Sequence, residues 1–162
     1  MNNKTVLDMG TGSGIIGIVS ASKDANVTAV DINDKATRCA NENAKLNGVE
    51  KNISFSVGNL YSSVPNTTKF DFIFFNPPFY PRKVNSVAQY AWNAGEDFET
   101  IRRFATESRN YLTKNGKIYF IISSDVDVEN ICSFFQTENF TTKLVDSKQL
   151  FFERFYIYEV TL

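Results

Sequence analysis

Thr5-Val6-Leu7-Asp8-Met9-Gly10-Thr11-Gly12-Ser13-Gly14-Ile15-Ile16-Gly17 carries three structural instructions in thirteen residues. Thr5 to Met9 reads as a short buried strand. Glycines at 10, 12 and 14 then break it into a tight loop. From Gly14 to about Lys23, the set Ile15, Ile16, Ile18 and Val19 suits a helix packed on a sheet. A strand passing through a glycine loop into a helix opens a βαβ unit. The same alternation continues outward. Val27 to Ile32 is a second strand, Asp34 offers an N-cap to a helix from Lys35 to Asn47, and Gly48 stands where its C-cap belongs. Ile53 to Val57 alternates as a strand, and Phe70-Asp71-Phe72-Ile73-Phe74-Phe75 is the near-continuous run of a strand covered on both faces. A helix over about 96–113, a strand over 117–122 launched by Gly116, a helix over about 126–138 and strands over 141–145 and 150–161 complete the chain.

Strands alternating with helices predict an α/β fold: a Rossmann-like, doubly wound, mostly parallel seven-stranded sheet with an antiparallel C-terminal strand. Residues 1–162 leave room for a single domain. Ligands of such sheets bind outside the carboxyl ends of the strands. The glycine loop, Asp31, Asn59 and Asn76 each follow a predicted strand, so they converge on that one edge. The segment 77–95 has no clear period, and long aperiodic segments in compact domains are often functional.

Composition excludes much chemistry. The chain has no histidine, which removes Ser-His-Asp and Cys-His catalysis and every imidazole acid, base or metal ligand. Its two cysteines, Cys39 and Cys132, form no CxxC motif and are too few for a cysteine metal cage. A net charge of −1 supplies no general attraction for nucleic acid. With no secretory signal and no apolar run near the length of a membrane span, the sequence predicts a cytoplasmic protein without membrane association.

Gly12-Ser13-Gly14-Ile15-Ile16-Gly17 satisfies G-x-G-x-x-G, and Asp31 follows about twenty residues on, where a carboxylate can accept hydrogen bonds from ribose hydroxyls. Together they point to a nucleoside-containing cofactor. Asp8 is an unusual neighbour for a pyrophosphate. It suits a cationic group such as the sulfonium of S-adenosylmethionine, the alternative being a brace for the loop. Asn76-Pro77-Pro78-Phe79 is the more specific signal. Each proline fixes φ and disfavours helix before it, so a stiff corner can aim the Asn76 side-chain oxygen and the Pro77 carbonyl at one point. Two converging acceptors suit a planar –NH2, and Phe79 could stack on its plane.

Asp8-Met9-Gly10-Thr11-Gly12-Ser13-Gly14, Asp31, Gly58-Asn59-Leu60 and Asn76-Pro77-Pro78-Phe79 resemble, in order and along the whole chain, the motifs of class I S-adenosylmethionine-dependent methyltransferases. The Asn-Pro-Pro-aromatic loop is that of the branch that methylates amide or amino nitrogens. The resemblance implies that Asp8, Gly10, Thr11, Gly12 and Gly14 line the methionine part of S-adenosyl-L-methionine and that Asp31 binds its ribose. Ile32 packs on its adenine, Asn59 and Leu60 sit at the adenine edge, and Asn76 also borders the cofactor. Asn76 and Pro77 are the implied catalytic pair, with Pro78 and Phe79 completing the substrate site. Asn59 departs from the family's usual Asp.

Ala91-Trp92-Asn93-Ala94-Gly95 followed by a helix is similar to the glutamine N5-methyltransferases acting on release factors, although Tyr is more usual there than Phe79. A release-factor-like protein substrate is therefore expected. Guanine-N2 or adenine-N6 methylation of RNA or DNA is the alternative, and an NAD-dependent oxidoreductase a more distant one. Residues 80–103 hold Arg82, Lys83, Arg102 and Arg103 against Glu96, Asp97 and Glu99 and make no basic stripe. The first strand lies within five residues of Met1, whereas this group usually carries recognition helices upstream. A minimal domain, a truncated chain or a partner that supplies the missing surface all remain open. A small activator protein is one such partner, and the aromatic segment from Phe151 to Tyr158 offers either core packing or an apolar surface for it.

Overall fold

The computed structural model describes residues 1–162. Seven strands form one sheet in the order β3-β2-β1-β4-β5-β7-β6. They are β1 (Thr5–Met9), β2 (Asn26–Asp31), β3 (Ile53–Val57), β4 (Phe70–Phe75), β5 (Leu112–Ser123), β6 (Thr141–Leu150) and β7 (Glu153–Thr161). β1 to β5 pair in parallel, and β7 runs antiparallel to both neighbours. The predicted fold class is therefore observed, with β7 as the antiparallel strand.

Central parallel strands must be covered on both faces. Helices α1 (Ile15–Ala21) and α2 (Asp34–Leu46) cover one side, where Val6, Val27, Ala29, Ala44 and Ile53 form a small apolar cluster. Helices α3 (Glu99–Ser108) and α4 (Val128–Thr137) cover the other, where Phe104 and Phe135 pack with Ile73, Phe75, Phe120 and Ile122 in the main core. The buried Tyr61 hydroxyl is satisfied by Ser108 Oγ at 2.7 Å, and Ser108 in turn donates to the Phe104 carbonyl at 2.6 Å. No helix is long and apolar enough to cross a membrane.

Some boundaries differ from expectation. α3 ends at Ser108 and β5 begins at Leu112, so residues 112–116, expected as the end of a helix and a turn, belong to the strand. Asn33, not Asp34, caps α2, its side chain accepting from the Lys35 N–H at 3.0 Å. The expected helix from 96 is α-helical only from Glu99, because Asp97 (φ 53°) and Phe98 (φ 56°) are left-handed and cannot extend it. The expected last strand is instead a hairpin. Leu150 pairs with Glu153, so Phe151-Phe152 is a two-residue turn and β6 runs five residues beyond Val145. Two phenylalanines carry none of the usual turn chemistry, which is why the reversal is invisible in the sequence.

Register places the functional edge. Met9 lies opposite both Val30 and Phe75, and Asp31 lies opposite Val57. Gly10, Asp31, Gly58 and Asn76 therefore leave the sheet side by side at the carboxyl ends of β1, β2, β3 and β4.

Candidate active site

A cleft of about 280 Å³ opens at this edge, near the lower limit of ligand cavities, which begin at roughly 300 Å³. Its floor and walls include Gly10, Gly12, Asp31, Ile32, Asn59, Leu60, Asn76 and Pro78. Eight of the residues singled out from sequence thus meet in one cavity. Gly12 needs its φ of +55°, and a Cβ there would meet little besides the Gly10 carbonyl, so the backbone lies open to a ligand. Gly14 has another reason. At φ +86°, a Cβ would sit 3.0 Å from that of Ala40, so glycine lets α1 and α2 approach closely. Leu60 also has positive φ (53°), a strained conformation for a branched side chain and one found preferentially at functional sites.

Asp31 is both scaffold and candidate ligand. Its carboxylate accepts the Gly12 N–H and the Asn33 N–H, each at 2.9 Å, and still borders the cleft. One oxygen fixes the glycine loop and the other the turn into α2. Lone pairs remain for further donors.

Asp8 does something else. It is 2% exposed, lies behind the loop, and does not reach the cleft. Its Oδ2 accepts the Thr11 hydroxyl at 2.7 Å and the Gly17 N–H at 2.9 Å. These two bonds brace the loop, the alternative that the sequence offered beside a cationic ligand. Thr11 and Gly14 do not border the cavity. Burial raises the Asp8 pKa above the ordinary 3.8, against the lowering by its two hydrogen bonds. The folded state therefore favours the protonated acid, and stability from this group is full below about pH 4 and lost as pH rises through the raised folded value. Asp8→Asn keeps an acceptor and does not titrate. Its stability relative to the parent protein should rise between about pH 4 and pH 7. Urea unfolding at both pH values checks this, and a pH-independent difference contradicts it.

Beyond β4, Asn76 is exposed on the cleft wall. No loop N–H donates to the Pro77 carbonyl or the Asn76 carbonyl. The Pro77 ring is buried, outside the cavity. Phe79 does not border the cavity either; it packs on the main core and against the Tyr80 ring at 5.2 Å. A large apolar ring beside the core gains more from burial than from a wet cleft, so Phe79 supports the corner from behind.

The cavity's opposite wall is not legible in the sequence. Tyr80 N–H donates to the Trp92 carbonyl (3.1 Å) and Ala94 N–H to the Tyr80 carbonyl (2.8 Å), closing the neck of a loop. Inside it Val87, Ala88, Tyr90 and Ala91 face the cleft. Its aperiodicity marked the segment as a candidate, but nothing in the residues shows which of them turn inward. Met9, Val30 and Phe75 also contribute; as strand residues they are legible only as core. No three Asp, Glu or Cys side chains gather as a metal site.

The model of the methyltransferase small domain family matches residues 1–152. The chain belongs to that family. Membership sets aside the nicotinamide oxidoreductase alternative. A Methanocaldococcus jannaschii protein provisionally named protein N5-glutamine methyltransferase is 44% identical over 130 residues, covering 76% of this chain and 64% of the relative. The release factor glutamine methyltransferase of Lactococcus lactis is 33% identical over 156 residues, covering 89% of this chain and 56% of the relative. The methyltransferase domain thus spans about half the length of most of its curated relatives. Among solved structures, the Encephalitozoon cuniculi Mtq2-Trm112 complex, described as responsible for methylating the termination factor eRF1, aligns with a TM-score of 0.73. The alignment is 20% identical and covers 99% of this chain and 86% of that one, a likeness of fold.

Proposed function

We propose that residues 1–162 form one domain that binds S-adenosyl-L-methionine and transfers its methyl group to the side-chain amide nitrogen of a protein glutamine, with a translation release factor as the substrate class. The observation that carries this reading is the juxtaposition of Asn76, at the end of β4, with Gly12 and Asp31 in one cleft. The residues fit the cofactor. Asp31 retains acceptor capacity for ribose hydroxyls, Ile32 and Leu60 offer apolar surface to an adenine, and the open backbone at Gly10 and Gly12 admits the methionine part.

When bound, the cofactor supplies an electrophilic methyl carbon on sulfur. The chain's task is to present a poor nucleophile. An amide nitrogen has a delocalised lone pair, and two acceptors bonded to its two hydrogens orient that pair toward the cleft. As the nitrogen gains positive character those hydrogen bonds strengthen, which favours the transition state over the ground state. Asn76 Oδ1 and the Pro77 carbonyl are the proposed acceptors, held by the diproline corner with little reorganisation.

A protein substrate is favoured over RNA or DNA by the balance of charge over residues 82–103. Arg82, Lys83, Arg102 and Arg103 are exposed, but the exposed Glu96, Asp97 and Glu99 separate the two basic pairs along the chain, which argues against a continuous phosphate track. A small activator protein is a further proposed partner, as the Mtq2-Trm112 assembly suggests. Calorimetric titration should show binding of S-adenosylmethionine and its demethylated product but not of NAD. Incubation with labelled cofactor and cell extract should then give label removed by protease. Label removed only by nuclease would move the substrate to nucleic acid, and binding without any transfer would make the domain non-catalytic.

A further inference from the structure

β6 and β7 continue past the end of β5. Ser123, the last residue of β5, pairs with Phe155, while β7 begins at Glu153 and β6 ends at Leu150. Because β5 is parallel to β4, the Phe151-Phe152 turn projects from the same edge of the sheet as Asn76. β7 lies two strands from β4, about 10 Å away at the usual strand spacing, and the turn rises about 10 Å above the end of β5.

Neither the turn nor the core accounts for these two residues. Two-residue hairpin turns favour Gly, Asn or Asp, and Phe151 at φ 54° is an outlier for a bulky side chain. Both rings are fully exposed, at 96% and 102%. The turn is nevertheless held firmly. Ser124 N–H donates to the Arg154 carbonyl at 2.7 Å, Arg154 N–H to Ser124 Oγ at 3.0 Å, Arg154 Nε to Gln149 Oε1 at 3.2 Å, and Ser123 Oγ to Glu153. Two fully exposed aromatic rings on an anchored hairpin, with no partner in their own fold, are the composition of a binding anchor.

The ground between turn and cleft is the β5–α4 connection and the first turn of α4, where Asp125, Asp127 and Glu129 are all exposed and outside every ion pair of the chain, whereas the cations Lys148 and Arg154 lie on the hairpin itself. Carboxylates here repel a phosphate backbone and attract a basic polypeptide.

We propose that the Phe151-Phe152 turn, with the acidic ledge beside it, docks the methyl-acceptor protein: an apolar segment flanked by basic residues that seats on the two rings while the acceptor glutamine reaches Asn76. The inference rests on the protein-glutamine reading above and adds where the substrate is held. It accounts for a cleft that is small and a substrate that is large, since most of the contact lies outside the cleft.

The test is the double variant Phe151→Ser/Phe152→Ser, which alters no core contact, against the unaltered chain. A translation release factor and a short peptide around its acceptor glutamine serve as probes. With the release factor, the variant should raise KM and weaken binding, measured calorimetrically in the presence of demethylated cofactor, by about tenfold or more. Its kcat, its affinity for S-adenosylmethionine and its rate with the short peptide should not change. An unchanged KM and release-factor affinity overturns the inference and leaves the glutamine reading standing. Release-factor binding that depends on the turn but leads to no methylation does the reverse. Loss of self-association in the variant by analytical ultracentrifugation, or loss of binding to single-stranded RNA in place of the release factor, also overturns it by assigning the rings to a second copy or to bases.

Discussion

Asn76→Ala should lower single-turnover methyl transfer by about 10²- to 10³-fold, the loss typical of removing one preorganised hydrogen-bond partner of the transition state. S-adenosylmethionine affinity should change by less than about threefold. Asn76 is the last polar group before the two prolines, on the cleft wall but at the far end from Asp31 in the order of the strands: β2, then β1, then β4. It therefore adds little to cofactor affinity compared with what it does for the acceptor nitrogen. Truncation removes one of the two acceptors and leaves Pro77 to hold one N–H, so the nitrogen is both less polarised and free to rotate away from the methyl carbon. Asn76→Asp preserves shape and an acceptor oxygen but places a full charge beside the acceptor amide. Partial activity is expected there, above that of Asn76→Ala. Parallel measurement of cofactor affinity and transfer rate checks the pair. A large loss of cofactor affinity with normal transfer would show that Asn76 holds the cofactor and not the acceptor.

How far the sequence disclosed this site follows from which forces act locally. Backbone conformation is local, so the glycine loop, the diproline corner and the carboxyl ends of β1 to β5 are legible in the sequence, whereas the start of β5 at Leu112 is not. The parallel register then made convergence on one edge a matter of topology, and Gly10, Gly12, Asp31, Ile32, Asn59, Leu60, Asn76 and Pro78 do share a cavity. Which way a side chain points is not local. The charge of Asp8 suggests a ligand, but nothing local in the sequence shows that the Gly17 N–H and Thr11 hydroxyl, nine and three positions away, bond its Oδ2. The ring of Phe79 suits a planar substrate, but the sequence does not show that it packs, half-buried, against the main core. The hairpin turn at Phe151-Phe152 was hidden for the opposite reason: the chain uses residues there that turn propensity disfavours. The loop wall carrying Val87 and Tyr90 depends on two hydrogen bonds between Tyr80 and the Trp92–Ala94 stretch, a pairing without periodic pattern.

Asp31→Ala should weaken S-adenosylmethionine binding by about 10²- to 10⁴-fold, from the loss of two hydrogen bonds to a charged acceptor at about 1.5–3 kcal/mol each. Part of that loss comes from the protein itself. The carboxylate also holds the N–H groups of Gly12 and Asn33, so its removal frees the glycine loop as well as the ribose hydroxyls. Asp31→Asn separates the two contributions. Its single amide oxygen can keep one backbone N–H but cannot serve both backbone donors and the ribose, and its NH2 faces at least one donor head-on. An intermediate affinity is expected, with the loop less altered than in Asp31→Ala, readable as amide exchange at Gly12. Transfer from the saturated complex should survive in both variants, because the acceptor corner lies on β4 and is anchored by its own prolines. If affinity stays within a few-fold of the parent protein in Asp31→Ala, the carboxylate is only a brace for the loop, as Asp8 is. If saturated transfer falls as steeply as affinity, the cofactor and acceptor halves of the cleft are not separable in the way that the register of β1, β2 and β4 implies.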